Sequence, residues 1–350
     1  MNRVFGMATM NMRFAKLVVL ACGGFLAALA QTNWELIKTF SIGGPGAWDY
    51  LTVNPQTHRL YVPRSTHTLV IDAETGKTIA DIPGQKNAHG VALAPQSGRG
   101  FITDGGGDGA ILIFDLKTNA VLGSLPAIED TDGIIFDSGS GYVLAVSGRG
   151  KTLFMFKPDI DPKNGRLDER IPLRGEPEFL AADGTGKVYI NLMNTNEVAV
   201  VDLKTKAVVA HWPVAPGGAP VGMSIDTKKR RLFIGCRKPQ KLIVMSTDDG
   251  KLVSDLPIGE SVDATKIDGD ETFASCRDGT LTVAKETSGG KFEVVQVVKT
   301  RPGARTMGVD TTTHRIYLPT AELEQTASGS PGRPKPDTFM IVVVGRAGRQ

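Results

Sequence analysis

Seven positions spread along the sequence carry Asp49, His89, Asp132, Glu178, Val221, Asp263 and Arg305, separated by 40, 43, 46, 43, 42 and 42 residues. Aspartate, glutamate and histidine make up about an eighth of the chain, so about one such residue in seven is expected, and this set has five. Carboxylates that converge repel one another and stay ionised only where a cation or hydrogen-bond donors compensate. Oxygen ligands from Asp49, Asp132, Glu178 and Asp263 suit Ca²⁺ or Mg²⁺, and an imidazole among them extends the choice to Zn²⁺ or Mn²⁺. Such a metal would polarise a carbonyl or activate water, with His89 as a candidate base. The structural alternative is that each acid accepts backbone N–H bonds or pairs with arginine.

A second set lies close by in the repeat: Arg64, Asp104, Arg149, Asn191, Arg237 and Arg277. With Arg305, these residues are candidates for binding an anionic ligand, because a guanidinium fork matches a carboxylate or phosphate in two hydrogen bonds. The competing reading is that the arginines neutralise the inner acids. His67 is read as a solvent-facing loop residue, and the "DGGGDG" run at 104–109 as a tight loop, since it lacks phosphate-loop and Ca²⁺-loop spacing.

Positioning these residues requires a repeated element, and the sequence contains one. "LTVNPQTHRLYV" aligns with "VALAPQSGRGFI", "IIFDSGSGYVLAV", "LAADGTGKVYI", "MSIDTKKRRLFI", "TKIDGDETFA" and "MGVDTTTHRIYL", starting at 51, 91, 134, 180, 223, 265 and 307. Each unit reads as a short first strand, a turn, a second strand, an unbroken apolar third strand such as "ILIFD", and an alternating outer strand such as "KLVSDLP". Continuous apolar strands are buried on both faces, as in stacked sheets. A period near 42 residues with four strands per unit predicts an all-β, seven-bladed β-propeller of four-stranded antiparallel blades. In that arrangement equivalent positions form rings around a channel, and the first strands line it.

The seventh unit runs out after "TFMIVVVGR", while "NWELIKTFSIGG" near the start matches the outer-strand pattern. The N-terminal strand is therefore expected to complete the last blade, closing the ring and removing a sheet edge. The segment 322–337, rich in Pro, Gly and Ser, is expected to be a mobile loop on the ring face. Asp72, Asp115 and Asp202 are expected to bond turn backbone. His58 and His314 fall in matching turns on the opposite face.

The units "HGVALAPQSGRGFITDGGGDGAILIFDLKTNAV" and "LTVNPQTHRLYVPRSTHTLVIDAETGKTI" resemble the YVTN-repeat, or YncE-like, bacterial β-propellers, over nearly all of residues 31–350. The resemblance implies an exported seven-bladed propeller and no single activity. None of the second strands here ends in the family's asparagine, so no role of that residue carries over.

The first thirty residues carry Arg13 and Lys16 before "LVVLACGGFLAALA" and then turn polar, the pattern of a secretory signal peptide cleaved after Ala30, which implies a periplasmic or secreted protein. The first thirty residues thus contain an uncharged run, 17–30, that is too short to span a bilayer comfortably. Residues 1–30 hold three cations and no acid, so the formal charge falls from +3 to zero on their removal. A neutral chain with 6% aromatic residues disfavours nucleic-acid binding. Cys236 and Cys276 occupy equivalent places in adjacent blades, and a sheet spacing of about 10 Å disfavours a bridge between them. No haem, nucleotide or flavin motif is present. The expected function is ligand or envelope-partner binding by a monomer, through an acidic funnel. The alternative is metal-dependent hydrolysis or lyase chemistry on a polar or acidic small molecule, by analogy with propeller lactonases and lyases.

Overall fold

The computed structural model describes residues 1–2, 33–167, 169–287, 290–325 and 331–348. The expected signal segment lies outside the described residues. Among those described, no helix is long and apolar enough to cross a membrane.

The chain is built of antiparallel β-strands in seven four-stranded units. In the third to sixth units the strands follow one another in chain order, as in Pro177–Ala182, Lys187–Leu192, Glu197–Asp202 and Ala207–Pro213. The first two units share one continuous 17-residue strand, Thr78–Ala94. Its beginning pairs with Ser65–Asp72 and its end with Arg99–Asp104, so the outer strand of one unit runs directly into the inner strand of the next. The seventh unit takes Gly308–Asp310, Arg315–Thr320 and Met340–Arg346 from the C-terminal region and Trp34–Ser41 from the N-terminal region.

Sequence and burial explain this arrangement. The third strands are buried along their length, as in Ala110–Asp115 and Glu197–Asp202. The core therefore lies between units. Leu60, Val62 and Ile71 of the first unit pack with Tyr317, Ile341 and Val343 of the seventh, and Phe273 and Val283 of the sixth pack with Ile316, Leu318 and Val342. Trp34 anchors the N-terminal strand: its ring packs edge-on against Phe273, its indole N–H donates to Glu271, and Arg346 lies over it.

Turn chemistry supports the same layout. Asp72, Asp115 and Asp202 each accept backbone N–H groups two and three residues on, as their place before "AETGK", "LKTNA" and "LKTKA" implies. His314 reaches Asp268 of the preceding unit at 2.8 Å, and His58 stands 3.7 Å from Asp310 in the same way, so both histidines join neighbouring units. Within the 322–337 segment, Leu323–Gln325 pairs with Pro331–Pro334 in a small sheet; residues 326–330 lie outside the described residues. Cys236 and Cys276 are both buried, unbridged thiols, and burial pushes each up to about 12.

Candidate functional site

The inner strands carry the ring residues at a recurring irregularity. His89 and Gly90 stand opposite the single residue Thr103, Asp132 and Gly133 opposite Val146, and Glu178 and Phe179 opposite Asn191. Val221 and Gly222 repeat the pattern opposite Gly235, and Asp263 is the extra residue between Val262 and Ala264. A β-bulge re-aims a side chain and bends its strand. Repeated at the same place, it turns these side chains toward one another, and small residues beside them allow close approach: a Cβ on Gly133 would stand 2.6 Å from the Glu178 carbonyl oxygen.

Polar side chains of the second strands fix the spacing. Thr103 donates to the Asp132 carbonyl, Asn191 to the Val221 and Gly222 carbonyls, and Ser275 to the Arg305 carbonyl, each reaching from one unit to the next. Thr306 continues the series by donating to the Asp49 carbonyl.

The ring divides into two halves. On one side Asp263, 2% exposed, has each carboxylate oxygen on a different guanidinium, Arg237 and Arg305. Arg237 also faces Glu178 at 4.0 Å, and Arg305 faces Asp49 at 3.8 Å. On the other side His89 Nδ1 lies 2.7 Å from Asp49 Oδ2 and 3.6 Å from Asp132 Oδ1. Ligand atoms of Asp49, His89 and Asp132 all lie within 4.8 Å of one another. The other imidazole nitrogen, Nε2, is 2.7 Å from the Asn87 side-chain amide, which orients the ring. Asp132 Oδ1 is buried without a hydrogen-bond partner.

Protonation follows from this crowding. Burial works against a charged His89, but the hydrogen bond to Asp49 and the fields of Asp132, Asp49 and Asp130 outweigh it and raise its pKa to about 9. Burial, together with repulsion from Asp49, Glu178 and Asp130, pushes the Asp132 carboxyl well above the usual range even with His89 beside it. Glu178 is raised in the same direction, by burial first, with Arg237 opposing. Five carboxyls, with Asp130 counted, thus face two guanidiniums and one imidazolium, and the two carboxyls that gain protons most easily offset the excess.

The remaining sequence candidates do not join this cluster. Arg64 was a ligand candidate, but it is buried, its guanidinium donates to the carbonyls of Gly43, Gly44, Pro45, Gly46 and Ala47, and it stacks 3.6 Å from the Phe339 ring centroid. Burial lowers its pKa to about 10, so it remains a cation that holds a loop. Asp104 accepts the backbone N–H groups of Lys86, Asn87 and Gly106 and so closes the glycine-rich turn. Asn191 is the backbone tether described above. Arg149 has a side chain 72% exposed and faces Glu129 at 3.4 Å. Arg277 is exposed beside a small cavity shared with Trp48 and Arg305. Of the four acids proposed as metal ligands, Asp263 is committed to arginines and Glu178 faces Arg237, while His89 stands with Asp49 and Asp132. Asn87, Asp130 and Tyr50 were not singled out from the sequence. Asn87 and Asp130 each lie two residues before a ring position, the one signal that would have found them.

No protein-family model and no curated protein matches this chain. Solved structures do. A chain of the mitotic checkpoint complex aligns with a TM-score of 0.72 at 12% identity, covering 98% of each chain. The RRP9 WD40 repeats align at 0.70 and 10% identity, over 88% of this chain and 97% of that one. A chain of hydrazine synthase from Kuenenia stuttgartiensis aligns at 0.67 and 12%, over 78% and 92%. At such identities the likeness concerns the fold alone: this is an all-β chain whose seven four-stranded antiparallel units fit a β-propeller.

Proposed function

We propose that this protein is an exported, YVTN-type β-propeller of seven blades that binds a ligand or an envelope partner at its channel mouth, around a divalent cation held by Asp49, His89 and Asp132. Pairing of Trp34–Ser41 with Met340–Arg346, and the packing of the seventh unit against both the sixth and the first, support closure of the ring. The observation that carries the site is the convergence of two carboxylates and one imidazole beside an unpartnered buried oxygen of Asp132. That oxygen accepts no hydrogen bond and has only the His89 imidazolium at 3.6 Å to offset its desolvation, and a cation would supply a direct interaction. Two oxygen ligands and one nitrogen suit Zn²⁺ or Mn²⁺ better than Ca²⁺, with Asn87 holding the far side of the imidazole. Arg305 and Arg237 border the cluster and would orient an anionic group of the ligand.

A bound metal must displace the His89 proton and, at lower pH, the Asp132 proton as well, so affinity rises by at least about tenfold per pH unit up to about pH 9 and levels off above it. The test is elemental analysis of protein purified without chelator, with intact mass measured on the same sample. One divalent ion per chain is expected, reduced in Asp132→Ala and in His89→Ala, and a chain beginning at Gln31. A protein without metal, whose melting temperature ignores EDTA and added Zn²⁺ and Mn²⁺, would exclude the metal centre; a chain retaining residues 1–30 would exclude export by cleavage.

A further inference from the structure

One step along the inner strands from the ring, Tyr50 and Phe179 stack with ring centroids 4.7 Å apart. They belong to the first and fourth units, which are not neighbours, so the pair reaches across the channel. Beyond it, toward the turns joining first and second strands, lies a cavity of about 330 Å³. Its wall comes from Thr52 and Val53, Ala92 and Leu93, and Ile135 and Phe136 of the first three units. Asn54 and Gln56 lie on the turn side, and Phe179 and Lys266 lie on the wall toward the ring.

Lys266 is the only charged residue in that lining. It stands on Val262–Asp268 with Nζ 5.3 Å from the Phe179 ring centroid. Its side chain is half-buried, no ion pair with a carboxylate is formed among the described residues, and desolvation lowers its pKa. In an alignment of the seven units, the positions equivalent to Lys266 are Thr52, Ala92, Ile135, Ala181, Ser224 and Gly308. Small or apolar residues at six of these seven places leave room for a guest, and a single cation at the seventh gives that guest a fixed orientation.

We propose that this vestibule binds a small amphipathic monoanion, a carboxylate on a short apolar body, with its charged end on Lys266 and its body against Leu93, Ile135 and Phe136. The volume is at the lower end of small-molecule sites, which span roughly 300–1,000 Å³. Largely apolar walls with a few placed polar groups, here Thr52, Asn54, Gln56 and the one charged side chain Lys266, are what such sites use to fix orientation. An ammonium in low dielectric gains more from an anion than it would in water, and a cation or a polyanion would be mismatched to it. The site is separate from the channel mouth and does not depend on the metal there.

Isothermal titration of the purified protein with octanoate, and with octanamide as the neutral analogue of the same length, tests the assignment. Octanoate is expected to bind more tightly than octanamide. Lys266→Met, which keeps the apolar bulk, is expected to weaken octanoate about tenfold or more and leave octanamide unchanged. Ile135→Phe, which fills the cavity, should weaken both, and Arg149→Ala on the exposed rim should change neither. Equal binding of the two probes, equal binding of octanoate to the parent and to Lys266→Met, or no octanoate binding tighter than about 10 mM overturns the proposal.

Discussion

At the scale of single residues, the cluster of Asp49, His89, Asp132, Glu178 and Asp263 is a problem of charge compensation solved in two ways. Asp263 is nearly inaccessible and shared by two arginines, so removing it leaves two guanidiniums facing each other. Breaking a buried pair by deleting one partner costs about 3–5 kcal/mol. Asp263→Ala is therefore expected to destabilise by that order in urea denaturation, while Arg149→Ala on the exposed rim stays within about 0.5 kcal/mol. A small effect at Asp263 would mean that the arginines find other partners at no cost. On the other side His89, raised from 6.5 to about 9, holds its proton more tightly in the folded state. The associated stability is fully present below pH 6.5 and is lost as pH rises through about 9. Raised pKa values of Asp132 and Glu178 act in the same sense at lower pH, since the folded state again binds the proton more tightly. The melting temperature of metal-free protein is expected to fall between pH 6.5 and 9, and His89→Gln should flatten that part of the profile.

At the scale of elements, the strand Trp34–Ser41 carries the most consequence for its length. It covers the edge of Met340–Arg346 and brings Trp34 and Phe40 into two separate core clusters. Burial of one large aromatic is worth about 3–5 kcal/mol against alanine, so deleting residues 33–41 is expected to cost more than about 5 kcal/mol. The uncovered edge is then free to pair with another chain, which light scattering would report as association. A deletion variant that stays monomeric with an unchanged denaturation midpoint would contradict this role. The bulges of the inner strands are the second elemental device, because they set which side chains face the channel. In the sequence they appear only as pairs such as His89-Gly90 and Asp132-Gly133, which an unbulged strand would also accommodate.

At the scale of the whole molecule, repetition turns a linear period into a shared centre. Residues about 42 apart become neighbours because each unit buries its apolar faces on the units beside it, and His89, Asp49 and Asp132 meet although no two of them share a unit. Tyr50 and Phe179, from two units that are not adjacent, stack one residue on from Asp49 and Glu178, and Phe179 also lines the cavity that holds Lys266.

The repeat, the strand order within each unit and the N-terminal origin of the last strand were all legible in the sequence, because apolar periodicity and turn residues are local signals read from one unit at a time. The acidic ring was legible as a column of equivalent positions. What filled or neutralised it was not, because Asp263 and Asp132 occupy the same column and differ only in which neighbouring unit supplies an arginine and which a histidine. Arg64 and Arg237 likewise close matching second strands, yet one is spent on a glycine-rich loop and the other on the ring. The continuous strand Thr78–Ala94 and the pairing of Leu323–Gln325 with Pro331–Pro334 also escaped the sequence reading, since Gly and Pro there mark a turn as readily as an extended chain. The sequence determined the repeated unit and its strands; tertiary packing alone decided the partners of the recurring polar residues, because hydrogen bonds and ion pairs depend on direction and distance that a repeat period does not encode.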